Sequence, residues 1–266
     1  MGGFLTVRAR GFTLVELVMV IVLLAIVATI SVRFVALSTQ GAVDVGSRQL
    51  RSFSAVVISE HVSRALREAL PGSIRVNGDG SCIEWMPVVA VSNYLNLPGD
   101  SNPDSFEAAP LAGGASASGR VVVYGYGSNL YSTVSPGAVS PEATLPAGAS
   151  PVTVTFDGGA NHRFATKSPE RKFFVIEDPR TICQQGSFLF RYRDYGIQGT
   201  VAAALPATMP TREVVAGNLV PGSLNFEVVP PTLQRSGVVS FRFQVQSQQS
   251  GEVTSVSQEV QVRNVP

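Results

Sequence analysis

Leu17 to Ile30 reads LVMVIVLLAIVATI, an apolar run in which only Thr29 is polar, and no charged side chain occurs between Glu16 and Arg33. Counted from Phe12 to Val32 the segment holds 21 residues. As an α-helix rising about 1.5 Å per residue it spans roughly 30 Å, the hydrocarbon thickness of a bilayer. The run therefore reads as a membrane helix or a signal sequence. Arg8 and Arg10 precede it with no acidic residue before Glu16, so the N-terminus is expected to stay cytoplasmic and the rest of the chain to lie outside. A secretory signal has a shorter apolar region and an A-x-A-like cleavage site. No A-x-A occurs between Ala25 and Gly46, where Ala36-Leu37-Ser38 is a weak substitute. Glu16 is the unusual residue: a charge in a bilayer costs at least about 2.5 kcal/mol and calls for a partner, unless it snorkels to the interface.

Around that run the chain is apolar and poorly charged. Of 266 residues 45% are hydrophobic and 15% charged, against roughly 25% charged in soluble domains, which excludes a disordered chain. A formal net charge of +1 gives no broad basic surface for phosphates, so nucleic acid is not an expected partner. The two histidines, His61 and His162, and the two cysteines, Cys82 and Cys183, do not have the close pairing of an ordinary zinc site.

The residues entering the apolar run, Arg8-Ala9-Arg10-Gly11-Phe12-Thr13-Leu14-Val15-Glu16, closely resemble the type III signal of type IV prepilins: a short basic leader ending in glycine, then Phe and Thr-Leu-Val-Glu opening a long apolar helix. The resemblance implies that a prepilin peptidase cuts between Gly11 and Phe12 on the cytoplasmic side and methylates the new amino group of Phe12. The apolar helix is then retained as an anchor. It also implies that Glu16 helps recruit the subunit to the growing fibre. The chemistry fits: glycine leaves the scissile peptide unshielded, and cleavage creates a cationic amine one helical turn from the Glu16 carboxylate, or beside that of a neighbouring subunit. Pairing the two in low dielectric sets a register between helices.

The helix is expected to continue beyond the membrane. Leu50, Phe53, Val57, Val62, Ala65, Leu66, Ala69 and Leu70 recur at three- and four-residue steps, leaving Arg48, Arg51, Glu60, Arg64, Arg67 and Glu68 mostly on other faces. Pro71-Gly72 ends it, and Gly41 and Gly46 predict a kink or frayed section between the two parts. His61 reads as a packed or solvent-facing helix residue. Beyond Pro71 the period falls to two. Ile83 to Val91, Val121 to Tyr126, Val152 to Phe156, Phe173 to Ile176, Ser187 to Tyr192 and Leu224 to Val229 read as strands. Val239, Phe241, Phe243 and Val245 alternate with polar residues, and a second run reaches Val262 beyond Gln248-Gln249-Ser250-Gly251, predicting a hairpin. Ala112 to Gly119 and Ser135 to Pro151, rich in Ala, Gly, Ser and Pro, read as mobile loops. The expected fold is α+β, a long N-terminal helix packed on an antiparallel β-domain, as the pilin resemblance also implies. Its parts are a leader at 1–11, a membrane-spanning half-helix at 12–32, an amphipathic periplasmic continuation at 33–70 and a β-rich domain at 71–266.

Cys82 and Cys183 both follow the membrane segment, so an oxidising periplasm favours a disulfide between them. No G-x-S-x-G, H-E-x-x-H or P-loop occurs, and neither enzymatic activity nor a cofactor is expected. Asp100, Asn102 and Asp104 have the opening spacing of a calcium loop, but Ser105 and Leu111 stand where its glycine and bidentate glutamate belong, so a polar turn is the preferred reading. Phe188-Leu189-Phe190-Arg191-Tyr192-Arg193 reads as a strand with arginines on its wet face rather than a nucleic-acid platform.

Removal of 11 residues would leave 255 of the 266, large for a shaft subunit, which favours a minor pilin. Ala65 to Val76 (ALREALPGSIRV), Cys82 to Val88 (CIEWMPV) and Cys183 to Tyr195 (CQQGSFLFRYRDY) resemble minor pilins of the mannose-sensitive haemagglutinin (MSHA) pilus biogenesis system. That resemblance implies a low-copy subunit that starts or caps the filament. It would reside in the inner membrane before assembly and in the pilus afterwards. Its partners would be prepilin peptidase, other pilins and minor pilins, a platform protein and an assembly ATPase. A type II secretion pseudopilin and a tip adhesin are the alternatives.

Overall fold

The computed structural model describes residues 11–98, 101–201, 205–208, 211–248 and 250–262. The leader residues 1–10, with Arg8 and Arg10, and the calcium-loop candidate Asp100 lie outside them. Among the described residues a helix α1 (Leu14–Arg67) is followed by β1 (Arg75–Val76), β2 (Cys82–Trp85), β3 (Val88–Asn96), β4 (Ser105–Ala108), β5 (Ala117–Val122), β6 (Val139–Leu145) and β7 (Val152–Phe156). Then come β8 (Lys172–Ile176), β9 (Arg180–Gln185), β10 (Phe188–Tyr192), β11 (Arg212–Ala216), β12 (Asn225–Val229), β13 (Gly237–Gln246) and β14 (Val253–Val262). The chain divides into two compact units, 1–50 and 51–266.

In the first unit α1 runs without interruption through Gly41 and Gly46. This corrects the expected kink: glycine costs about 1 kcal/mol relative to alanine but removes no backbone donor, and helix propagates where nothing competes for those donors. Thr29 and Thr39 donate their hydroxyls to the carbonyls of Ala25 (2.7 Å) and Val35 (2.8 Å). Self-satisfied hydroxyls of this kind are tolerated in an apolar helix.

In the second unit the end of α1 buries Ala55, Ile58, Val62 and Leu66 in one cluster with Ile83, Trp85, Ile182, Phe226, Phe241 and Phe243. The buried face is rotated from the one expected, because Phe53 and Val57 are exposed while Arg51 is 7% exposed. Arg51 pairs with Glu252 and reaches Thr254 Oγ1, so its charge is compensated where it is buried.

One antiparallel sheet has the order β1-β2-β9-β10-β11 and another the order β12-β13-β14. They abut where the Phe226 amide donates to the Gly80 carbonyl at 2.8 Å. The β13–β14 hairpin pairs Gly237↔Val262 through Gln246↔Val253, with the alternating Val239, Phe241, Phe243 and Val245 buried. Strands β3 to β8 form a closed antiparallel barrel of order β3-β4-β7-β6-β5-β8. The barrel is an insertion: β2 and β9, which flank it in sequence, pair directly with each other.

The barrel overturns two expectations. The stretch 135–151 contains β6, whose Val139, Ala143 and Leu145 are buried, and β5 begins inside 112–119. Small side chains belong there because a six-stranded barrel leaves little room inside. At Gly119 (φ 147°) a Cβ would lie 2.3 Å from the Ile176 carbonyl oxygen, so only glycine lets β5 approach β8 there. The expected strand from Ile83 to Val91 breaks at Met86-Pro87, where the chain leaves the sheet to enter the barrel, and the expected Val121 to Tyr126 strand stops at Val122, before Tyr124 takes φ 46°.

Candidate processing and assembly site

Gly11, Phe12 and Thr13 precede the first turn of α1 and are not helical. A side chain added at Gly11 would meet no atom within 4 Å, and Gly11 and Phe12 are both exposed, so the peptide between them is open to solvent. Thr13 Oγ1 accepts the Glu16 amide at 3.3 Å, and the Leu17 amide donates to the Thr13 carbonyl at 3.2 Å. Thr13 is thus the N-cap, with Glu16 at the third helical position, the spacing of a capping box. The sequence reading took Thr13-Leu14-Val15-Glu16 as a recognition signal and missed that the same spacing ends the helix before Phe12. Its Thr-x-x-Glu pattern was the available clue. The Glu16 carboxylate is in the first turn, where the helix dipole favours an anion. Behind it Phe12, Leu14 and the run from Leu17 to Ile30 are exposed. The helix is long and apolar enough to cross a membrane, and its most apolar stretch is unburied.

Cys82 and Cys183 face each other in the β2–β9 register and are bonded (S–S 2.05 Å) at a sequence separation of 101. The bond closes the two strands between which the barrel is inserted. Beside it the sequence reading missed a buried polar cluster. Glu84 of β2 is fully buried and paired with Arg75 of β1. Tyr195 donates to Glu84 Oε1 at 2.8 Å, and its oxygen lies 2.5 Å from Thr181 Oγ1. Arg75 also donates to the carbonyls of Gln198 (2.7 Å) and Gly199 (3.0 Å), and its guanidinium carbon lies 3.3 Å from the centre of the Tyr131 ring. Tyr131, in the chain between β5 and β6, donates to the Ser73 carbonyl at 2.6 Å. Burial, then the Glu84 charge, pushes the Tyr131 and Tyr195 phenols far up, so both stay protonated. The cluster ties β1, β2, the barrel and the segment after β10 together by paired charge. Glu84 inside the apolar run Cys82-Ile83-Glu84-Trp85-Met86 was the signal for it.

The remaining candidates lie apart. Asn102 Oδ1 accepts from Ser135, Asp104 Oδ1 accepts from Ser105, and no cluster of three or more His, Cys, Asp or Glu fit to hold a metal occurs among the described residues. Arg191 of β10 pairs with Glu213 of β11, Tyr192 is buried and Phe190 lies beneath the Arg212 guanidinium, at 4.5 Å. The aromatic-basic strand thus spends two of its aromatic rings and Arg191 on its own sheet.

Residues 7–32 match the family described as Prokaryotic N-terminal methylation motif. No curated protein and no solved structure matches the chain. The motif supports a protein of the type IV pilin or pseudopilin type, anchored by a single N-terminal helix. It implies processing by prepilin peptidase and assembly with other pilins.

Proposed function

We propose that the chain is a minor pilin of an MSHA-like type IV pilus that takes part in starting or capping the filament, and that it acts by assembly rather than catalysis. The observation that carries this reading is the motif's geometry: an exposed Gly11–Phe12 peptide, a helix capped at Thr13, and a carboxylate at Glu16 ahead of the exposed apolar run from Leu17 to Ile30. Prepilin peptidase cuts after Gly11 and methylates Phe12. The Phe12 ammonium and Glu16 then compensate each other within or between subunits as helices pack in the fibre, because an unpaired charge there is expensive. The β-rich unit, its disulfide formed in the periplasm, reaches the cell surface with the pilus. The inserted barrel supports a low-copy role, since it enlarges a domain that each shaft subunit would have to fit around the helix bundle.

The first test is the N-terminal sequence and methylation of protein recovered from cells that contain prepilin peptidase, with copies counted in sheared fibres. Methyl-Phe12 at a few copies per fibre is expected. An N-terminus elsewhere rejects the processing, and a copy number equal to that of the shaft subunit rejects the minor role. Gly11→Asp is expected to leave uncleaved precursor. Glu16→Ala should be cut and inserted normally yet enter fibres poorly, and undiminished incorporation would sink the pairing argument.

A further inference from the structure

Strands β2, β9, β10 and β11 set a group of side chains on the face of their sheet that does not enter the main core. Ile83, Ile182 and Leu189 point into the core cluster with Val62 and Leu66, so their strand neighbours Cys82, Cys183, Phe190 and Tyr192 leave on the other side. Arg212 stands directly opposite Tyr192 in the β10–β11 register and shares that face. The chain after β10 crosses it, packing Tyr195, Val201 and Leu205 against the disulfide and Tyr192. A cavity of about 480 Å³ remains there, and Cys82, Cys183, Tyr192, Leu205, Pro206 and Arg212 are among its lining residues. Its polar lining is unequally employed. The Ser81 hydroxyl donates to Asp79, and Gln184 donates to the carbonyls of Gly186 and Val220 and accepts the Leu224 amide. Tyr192 is 1% exposed, yet its hydroxyl has no hydrogen-bond partner, and neither has the buried Nε of Arg212. Buried polar groups are normally paired, so two orphans on facing residues of one cavity point to a ligand atom between them.

We infer that this cavity binds a small organic monocarboxylate, whose oxygens accept from the Arg212 Nε and the Tyr192 hydroxyl and whose apolar part lies against Leu205, Pro206 and the Cys82–Cys183 bond. A guanidinium only donates and a phenol can donate, so the ligand must accept from both. Charge narrows the choice further. Arg191 and Arg193 both pair with Glu213, whereas Arg212 has no carboxylate partner among the described residues. One uncompensated guanidinium matches one negative charge, and a carboxylate is the planar anion that fits its edge. The Arg212 guanidinium carbon lies 4.5 Å from the centre of the Phe190 ring, a stacking that holds the group in place while leaving its edge free. The volume is that of an ordinary small-molecule pocket, with a few placed polar groups in a partly apolar wall. Such binding adds to the assembly role proposed above and does not depend on it.

The experiment titrates the full-length chain, labelled with nitrogen-15 arginine and held in detergent micelles, with N-acetyl-leucine, its neutral amide and inorganic sulfate. The readout is the Arg212 Nε–H signal, identified as the one that Arg212→Gln removes. It should shift saturably with N-acetyl-leucine and not with the amide, a comparison that needs no variant of the binding residues. Tyr192→Phe should weaken the binding about tenfold, the loss of one hydrogen bond to a charged group. Because the Tyr192 hydroxyl has no partner within the chain, the same variant should unfold at an unchanged or higher denaturant concentration, which a structural role for that hydroxyl would not allow. A formed Cys82–Cys183 bond and an unmoved Arg191 signal show that the variant is folded. No shift, a shift as large with the amide or with sulfate, or an affinity indifferent to Tyr192→Phe would each overturn the inference.

Discussion

The inserted barrel and the sheet that carries it solve the same problem in opposite ways. The barrel closes on itself, so it has no edges, and it fills its interior with Phe106, Phe156, Phe173, Leu145 and small residues such as Ala108 and Ala143. The five-stranded sheet stays open and places a disulfide and a buried ion pair, Cys82–Cys183 and Arg75–Glu84, at the point where the barrel leaves it. Closure satisfies every strand's backbone by geometry alone, whereas an open sheet interrupted by the 94 residues between Trp85, the end of β2, and Arg180, the start of β9, needs covalent and polar ties to hold β2 against β9.

The sharpest test of this contrast is the double replacement Cys82→Ala, Cys183→Ala. In the chain-entropy picture a loop of about 100 residues is worth up to roughly 4.7 kcal/mol. Hydrogen exchange should show that loss in β2 and β9 while the barrel amides keep their protection. Equal loss in both would merge the two regions into one cooperative unit. Glu84→Ala comes next, at about 4 kcal/mol, since removing one partner of a buried ion pair leaves Arg75 uncompensated. A chemical-denaturation midpoint unchanged within error would show that Arg75 finds water there. Leu145→Ala should cost about 3 kcal/mol, confined to the barrel, so that protease cutting within 88–176 accelerates while the Cys82–Cys183 disulfide stays resistant to reductant. Tyr131→Phe removes one hydrogen bond to the Ser73 carbonyl, costing about 1 kcal/mol, and should loosen exchange around Ser73 without touching Leu145 or its neighbours.

The smallest effect is on pH. Burial holds His162, in the barrel, below its ordinary value against the opposing hydrogen bond to the Gly137 carbonyl. Burial and then Arg191 hold His61 down on α1, with Glu213 opposing and Arg64 assisting. A histidine lowered in the folded state takes up its proton more readily when unfolded. Stability is therefore full above about pH 6.5 and falls as the pH drops below it. His162→Phe should flatten that acid slope in barrel unfolding and leave the His61 contribution in place. A slope that is unchanged, or that rises toward acid, would contradict the assignment.

Legibility in the sequence followed the range of the interactions. The apolar run, the α1 stop before Pro71 and the β13–β14 hairpin all rest on neighbours within a turn or a strand, and the structure has each of them. The β6 strand was hidden because Ser135 to Pro151 is low in bulk and charge, the same composition as a loop, and only a narrow barrel interior gives its alanines something to bury against. Arg51 misled the helix-face reading for a related reason: Glu252, which neutralises it, lies two hundred residues away in sequence.

What the sequence determined by itself was local and periodic: a capped, membrane-length helix with its carboxylate at Glu16 and a β-rich remainder, because hydrophobic period and capping spacing are properties of consecutive residues. What only the tertiary structure decided was non-local. That β2 and β9 are the strand pair that brings Cys82 to Cys183, that a closed barrel sits between them, and that Glu84 finds Arg75 and Tyr195 all depend on which distant strands become neighbours. Strand order is set by the packing of the whole chain, and no short window of sequence contains it.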